Sequence, residues 1–196
     1  MRRARRSLSE PPEDLKSFPS QVLSPTKRLW RIHRAERKPW WFCSDGDCRF
    51  DLPAPAGTCY LSEQPIGGFV EVFQDVVLIA EEAIAARRLS RLRVPRRMRL
   101  ADCTSARARA FGCTGEIHTT ADYELTQLWA AAFAEEGFDG LWYLVRHDPA
   151  QRQVGVALFG EAGMARGWPE PSTEPIGEEL LAGVGKHFGI HILSRP

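Results

Sequence analysis

Bulky and charged residues alternate through Leu29-Trp30-Arg31-Ile32-His33, and that two-residue period predicts a first strand. Thr58 to Leu61 reads as a second short strand after the glycine turn at Gly57. From Pro65 the period lengthens. Ile66, Phe69, Val70 and Phe73 share one helical face, with a proline suited to the first turn. Gly67 and Gly68 weaken that helix, which implies a close approach to its backbone. The mixture of apolar, alanine and arginine positions from Val76 to Leu89 predicts helix over much of its length. Met98 to Asp102 reads as a strand, and Ser105 to Phe111 as a short helix ended by Gly112.

The best-defined helix follows. Thr120 is the expected N-cap, Asp122 and Glu124 put negative charge in the first turn, and Gly137 sits just past the end. Leu125, Leu128, Trp129, Ala132 and Phe133 make its apolar stripe. Gly140 to Val145 and Val154 to Phe159 read as strands joined by a His147-Asp148-Pro149 turn. A proline- and glycine-rich loop from Gly163 to Pro175 leads to a helix using Leu180, Leu181, Val184 and Phe188, then a strand at Ile190 to Leu193. Lys38 to Pro55, punctuated by Asp45-Gly46-Asp47, is mostly loop. Strands at both ends separated by helices define an α+β class, and no phosphate-binding glycine signature or internal repeat is present.

The chain's 196 residues, 43% apolar and 26% charged, suit one globular domain with a proper core. A net charge of +1 argues against a surface built to wrap nucleic acid. Residues 1–25 carry Arg2, Arg3, Arg5 and Arg6 among prolines, serines and acids, and are expected to form a mobile arm, leaving a domain over 26–196. Any nucleic-acid contact would come from that arm. No apolar segment follows the arginines and no stretch is long enough to span a membrane, so a cytoplasmic protein is expected. Five cysteines, an odd number, favour free thiols.

Several residues carry candidate chemistry. Cys43 and Cys48, with Asp45 and Asp47 between them, lack the spacing of a zinc site, so no metal is expected. Glu116 and His118 offer an acid and a base, but residues at a helix entry often look like this. Glu71 lies off the apolar face of its helix, where solvent is the ordinary environment. Arg31 sits inside an otherwise apolar strand and needs a partner or a ligand, such as a phosphate held bidentately. The aromatic stretch from Leu29 to Phe73 suits a cleft that stacks a flat ligand.

At these residues the chain resembles the RES domain family, bacterial proteins named for an arginine, a glutamate and a serine. Trp30-Arg31-Ile32 is similar to the family's opening arginine strand, and Arg49-Phe50-Asp51 to its second arginine motif. Thr58-Cys59-Tyr60-Leu61-Ser62-Glu63 with Glu71 is similar to its tyrosine strand and glutamate helix. Phe138-Asp139-Gly140-Leu141-Trp142-Tyr143, ending later in Ala157-Leu158-Phe159, is similar to its serine-bearing strand pair. The resemblance covers roughly Leu29 to Gly160.

The resemblance implies a split mixed β-sheet flanked by helices, like that of ADP-ribosyltransferases, and an activity that consumes NAD as a substrate rather than holding a prosthetic group. It implies a toxin paired with a helix-turn-helix antitoxin. Glu71 and Arg31 would be catalytic, and Arg31, Arg49, Tyr60, Tyr143 and Arg146 would bind NAD. Where the family's serine is expected, the chain has Leu144-Val145-Arg146, so that Arg146 or His147 would have to substitute. A protein ADP-ribosyltransferase and an inactive nucleotide- or partner-binding module therefore stay open as alternatives, as do the acceptor and a homo-oligomeric state.

Overall fold

The computed structural model describes residues 7–193. Its strands and helices run, in order, β1 (Ser20–Leu23), β2 (Leu29–Arg34), β3 (Trp41–Phe42), β4 (Ala56–Ser62), α1 (Pro65–Phe73), β5 (Leu78–Ala80), α2 (Glu81–Ala85), β6 (Arg87–Leu92) and β7 (Met98–Asp102). A 3-10 helix (Ala106–Phe111) and α3 (Glu116–Thr119) lead to α4 (Tyr123–Glu135). The chain ends with β8 (Gly140–Leu144), β9 (Val154–Glu161), β10 (Gly163–Met164), β11 (Ser172–Glu174), α5 (Glu178–Phe188) and β12 (His191–Leu193).

Eight strands form one mixed sheet in the order β1-β7-β8-β9-β4-β2-β6-β11, with β7 and β8 parallel. The ladder is not uniform. β4 pairs with β9 over its whole length and β2 with β6 over all six residues, yet β2 and β4 meet only at Trp30 and Ser62. Beyond that pair the ladder between the two halves stops, leaving the sheet split.

Strand alternation divides the core. Ala101, Leu141, Tyr143 and Ala157 face α4 through Trp129 and Phe133. Leu100, Val156, Leu158 and Cys59 face the opposite side, with Trp40 and Phe42. A third cluster joins α1 and α5 to Ile32 and Leu89. Helix α1 lies close on the sheet because Gly68 carries no side chain: a Cβ there would sit 2.9 Å from Ser62 Oγ. The glycines thus answer to packing.

Three expectations are corrected. Residues 7–25 are not a mobile arm: Leu8, Leu15 and Phe18 are buried, and β1 pairs with β7. Phe18 contacts Phe111, Trp129, Phe133 and Phe138, so a few scattered apolar residues are enough to anchor a polar segment. The arginines at 2, 3, 5 and 6 lie outside the described residues. Between Val76 and Leu89 only Glu81–Ala85 is α-helical, because β5 finds a distant parallel partner in β12 and β6 joins the main sheet. Asp122, not Thr120, caps α4, accepting from Leu125 N at 3.1 Å, and Leu128 on its expected apolar stripe is exposed.

Phe18→Ala should cost about 3–5 kcal/mol in denaturant unfolding, and removal of residues 1–25 should abolish the cooperative transition. A solvated arm would leave both unchanged.

Candidate active site in the split sheet

A cavity of about 260 Å³ opens where β2 and β4 part, lined among others by Trp30, Arg31, Arg49, Tyr60, Glu71, Tyr123 and His147. Each wall comes from a different element, so the site exists only in the folded chain.

Arg31 projects from β2 and is half-buried. Its protein contacts fall on one terminal nitrogen, Nη1, which donates to the carbonyls of Pro39 (2.5 Å) and Trp41 (2.8 Å) and to Cys59 Sγ (2.9 Å). The guanidinium is thus anchored by one prong of its fork.

Arg49 is buried on the loop between β3 and β4. Thr126 on α4 donates to its backbone carbonyl at 2.5 Å, and Gln127 donates to the carbonyls of Gly46 and Cys48. On the other side Tyr60 donates to Asp51 Oδ1 at 2.8 Å while accepting from Phe50 N, so β4 grips the same loop. Arg49 Nη1 donates to the carbonyl of His118, and its Nε has no protein partner.

Glu71 is not solvated. The last turn of α1 turns it inward, where the Tyr143 hydroxyl donates to its Oε1 at 3.0 Å and its Oε2 has no partner. Burial pushes the carboxyl above the usual carboxylate range, while Arg49, the Tyr143 hydrogen bond and Arg146 pull it back down. An acid that is desolvated, cation-biased and set in a cleft is a functional-site candidate.

Other expected residues take different parts. Tyr143 is only 1% exposed and does not line the cavity, so it supports Glu71 from beneath rather than contacting a ligand. Arg146 also stays off the wall, its Nη1 lying 3.5 Å from the Thr120 carbonyl, whereas His147 lines the cavity. Burial and the charges of Arg146 and Arg49 lower the His147 pKa, which favours the neutral imidazole. Tyr123 is a lining aromatic hidden from sequence reading, since only the entry angle of α4 brings it there. Cys48 lines the wall as well, but burial raises its thiol to about 12, which rules it out as a nucleophile near neutrality.

Glu116 and His118 do not form an acid-base pair. Glu116 accepts from Leu8 N, and His118 Nδ1 accepts from Leu144 N at 3.3 Å, with burial lowering its pKa to about 4. Asp148 shapes its turn by accepting from the backbone of Ala150, Arg152 and Gln153. Cys43, Asp45 and Asp51 bring ligand atoms within 4.8 Å of one another, yet Cys43 donates to Asp45, and Asp51 is occupied by Tyr60 and Cys48 N. The cluster satisfies itself. Among the described residues no helix is long and apolar enough to cross a membrane.

Fold and site together define an α+β protein built on a split mixed sheet, with two arginines and an inward-turned glutamate in the split. A RES domain model matches residues 28–179, and the chain belongs to the RES domain family. A chain of the M. tuberculosis MbcT–MbcA toxin-antitoxin complex shares the fold with a TM-score of 0.58 at 16% identity, the match covering 78% of this chain and 86% of that one. No curated protein matches the sequence.

Glu71 gives a stability prediction with a definite sign. A raised folded-state pKa means that the unfolded chain ionises first as pH rises, so stability falls across the window from the ordinary glutamate value to the raised one. Glu71→Gln, which keeps an acceptor for Tyr143, should melt higher than wild type near neutrality. The gain should be about 2–4 °C per kcal/mol relieved, and the gap should close in acid.

Proposed function

We propose that this chain consumes NAD, cleaving the bond between nicotinamide and ribose, and that it acts as the toxin of a toxin–antitoxin pair. The observation that carries this reading is Glu71, a half-buried residue whose buried Oε2 has no protein partner, set in one cavity with Arg31 and Arg49. Family membership supplies the substrate class, and the toxin role follows the likeness to the MbcT–MbcA complex. An antitoxin would restrain the enzyme by covering the cleft.

The chemistry fits the residue types. As the C–N bond breaks, its electron pair leaves with the nicotinamide nitrogen, and positive charge develops on the ribose carbon. An ionised Glu71 stabilises that charge where little water competes. Arg31, anchored through Nη1, keeps the rest of its fork for a phosphate oxygen, and Arg49 adds positive charge deeper in the cleft. The rings of Tyr60 and Tyr123 offer flat walls for a heterocycle. At about 260 Å³ the open cavity falls just below the ordinary range for ligand sites, which suits the reacting half of a dinucleotide with the remainder outside.

Water or phosphate then attacks the ribose carbon and gives up a proton, which neutral His147 on the cavity wall is suited to take. A protein acceptor would make the same site an ADP-ribosyltransferase. The apolar Leu144-Val145 in the serine position favours the second reading, an inactive nucleotide-binding module.

Nicotinamide release from NAD by the purified chain, with and without phosphate, tests the proposal. Glu71→Gln should lower release by at least about 100-fold, the loss expected for a group acting on transition-state charge. Wild-type release should fall in acid as Glu71 takes up its proton. A chain that binds NAD without releasing nicotinamide or labelling protein would be the inactive module.

A further inference from the structure

We infer that Tyr143 is the positioning residue of Glu71, its hydroxyl fixing the direction of the carboxylate and favouring the charged form. The inference rests on Glu71 being the reacting carboxylate, and deepens that reading.

Tyr143 donates the one hydrogen bond that Glu71 receives from protein among the described residues, at 3.0 Å to Oε1. Its ring is locked. The Phe50 ring meets it edge-on at 4.9 Å between centroids, and Gly155 on the neighbouring strand lies directly beneath. A Cβ on Gly155 would sit 2.3 Å from Tyr143 Cζ and 2.7 Å from its hydroxyl, so the glycine is what lets the phenol occupy this place. At 1% exposure and off the cavity wall, Tyr143 cannot bind the ligand itself. The groups acting on Glu71 are then Arg49 from the β3–β4 loop, Arg146 after β8 and the Tyr143 hydroxyl. The arginines supply charge from a distance, whereas the hydroxyl alone has direction.

The full chain and its Tyr143→Phe variant provide the test, with the Glu71 carboxyl resonance of labelled protein assigned by its loss in Glu71→Gln. Losing the hydroxyl should move the Glu71 titration to higher pH, and an unmoved titration would overturn the inference. In nicotinamide release, kcat should fall about 10- to 100-fold, the range for one hydrogen bond to a charged group, while KM for NAD stays within about two-fold. A raised KM with kcat intact would make Tyr143 a ligand contact and also overturn it. Gly155→Ala, which displaces the hydroxyl without removing it, should shift the titration in the same direction. Should neither variant fold, the Tyr143 ring resonance in wild type must move as Glu71 titrates and lie flat in Glu71→Gln; a flat wild-type resonance contradicts the coupling. If wild type releases no nicotinamide, the proposed activity fails while the titration still decides the role of Tyr143.

Discussion

The cleft depends on a ladder that stops after one rung. β2 is fully paired with β6 and β4 with β9, while the backbone ladder between the two halves is the single pair Trp30 and Ser62. Ser62 reinforces the junction, its hydroxyl lying 2.7 Å from the Gln64 carbonyl and 3.3 Å from that of Trp30. Helix α1 begins three residues later and is seated on the junction through Gly68. Had pairing continued past Trp30 in the same register, Arg31 would sit opposite Leu61 and Ile32 opposite Tyr60, and the split would close. The backbone geometry that opens the cavity is also what aims α1, and therefore Glu71, into it.

Within the split, the energetics favour function over stability. A buried carboxylate usually recovers its desolvation cost through an ion pair. Glu71 has none, in contrast to the surface pairs Lys27–Glu63 and Arg96–Asp139. Arg49 lies close enough to bias its charge without touching it, and Arg49 Nε and Glu71 Oε2 both lack partners. Two buried polar atoms without a protein partner in one cleft make it a functional-site candidate. The surrounding loop repays that cost, with Tyr60–Asp51, Thr58–Phe50 and Thr126–Arg49 bonds holding the arginine rigid.

What was legible in the sequence followed local physics. Pro65–Phe73 emerged as a helix with the expected bounds because proline at its start and a four-residue apolar face are local signals. The β8–β9 hairpin was visible for the same reason. The strands that the pattern does not predict, among them β1, β3, β5 and β11, are short and owe their existence to partners far along the chain, such as β1 on β7 and β11 on β6. Arg31, Arg49, Tyr60 and Glu71 stand out by residue type and family resemblance, and they meet in one cavity. Periodicity alone would have left Glu71 in solvent, since helical phase gives a direction but does not tell what another element brings there. Tyr123 and His147 reach the wall through tertiary placement that no spacing rule encodes.

The missing serine has a structural counterpart. Alternation along β8 sends Leu141 and Tyr143 toward α4 and Trp142 to the opposite side, so Leu144 follows Trp142 away from the face that Tyr143 occupies. Val145 is buried in the cluster that joins α1 to α5, where a lone hydroxyl would need a partner of its own. A hydroxyl at 144 would therefore start on the wrong face, and one at 145 would enter an apolar core. The hydroxyl that does reach Glu71 comes from Tyr143, one residue earlier on the correct face of the strand, and Gly155 provides the space that makes this possible. With Leu144 and Val145 at the positions where the family resemblance places a serine, the Glu71 carboxylate is oriented by Tyr143 instead.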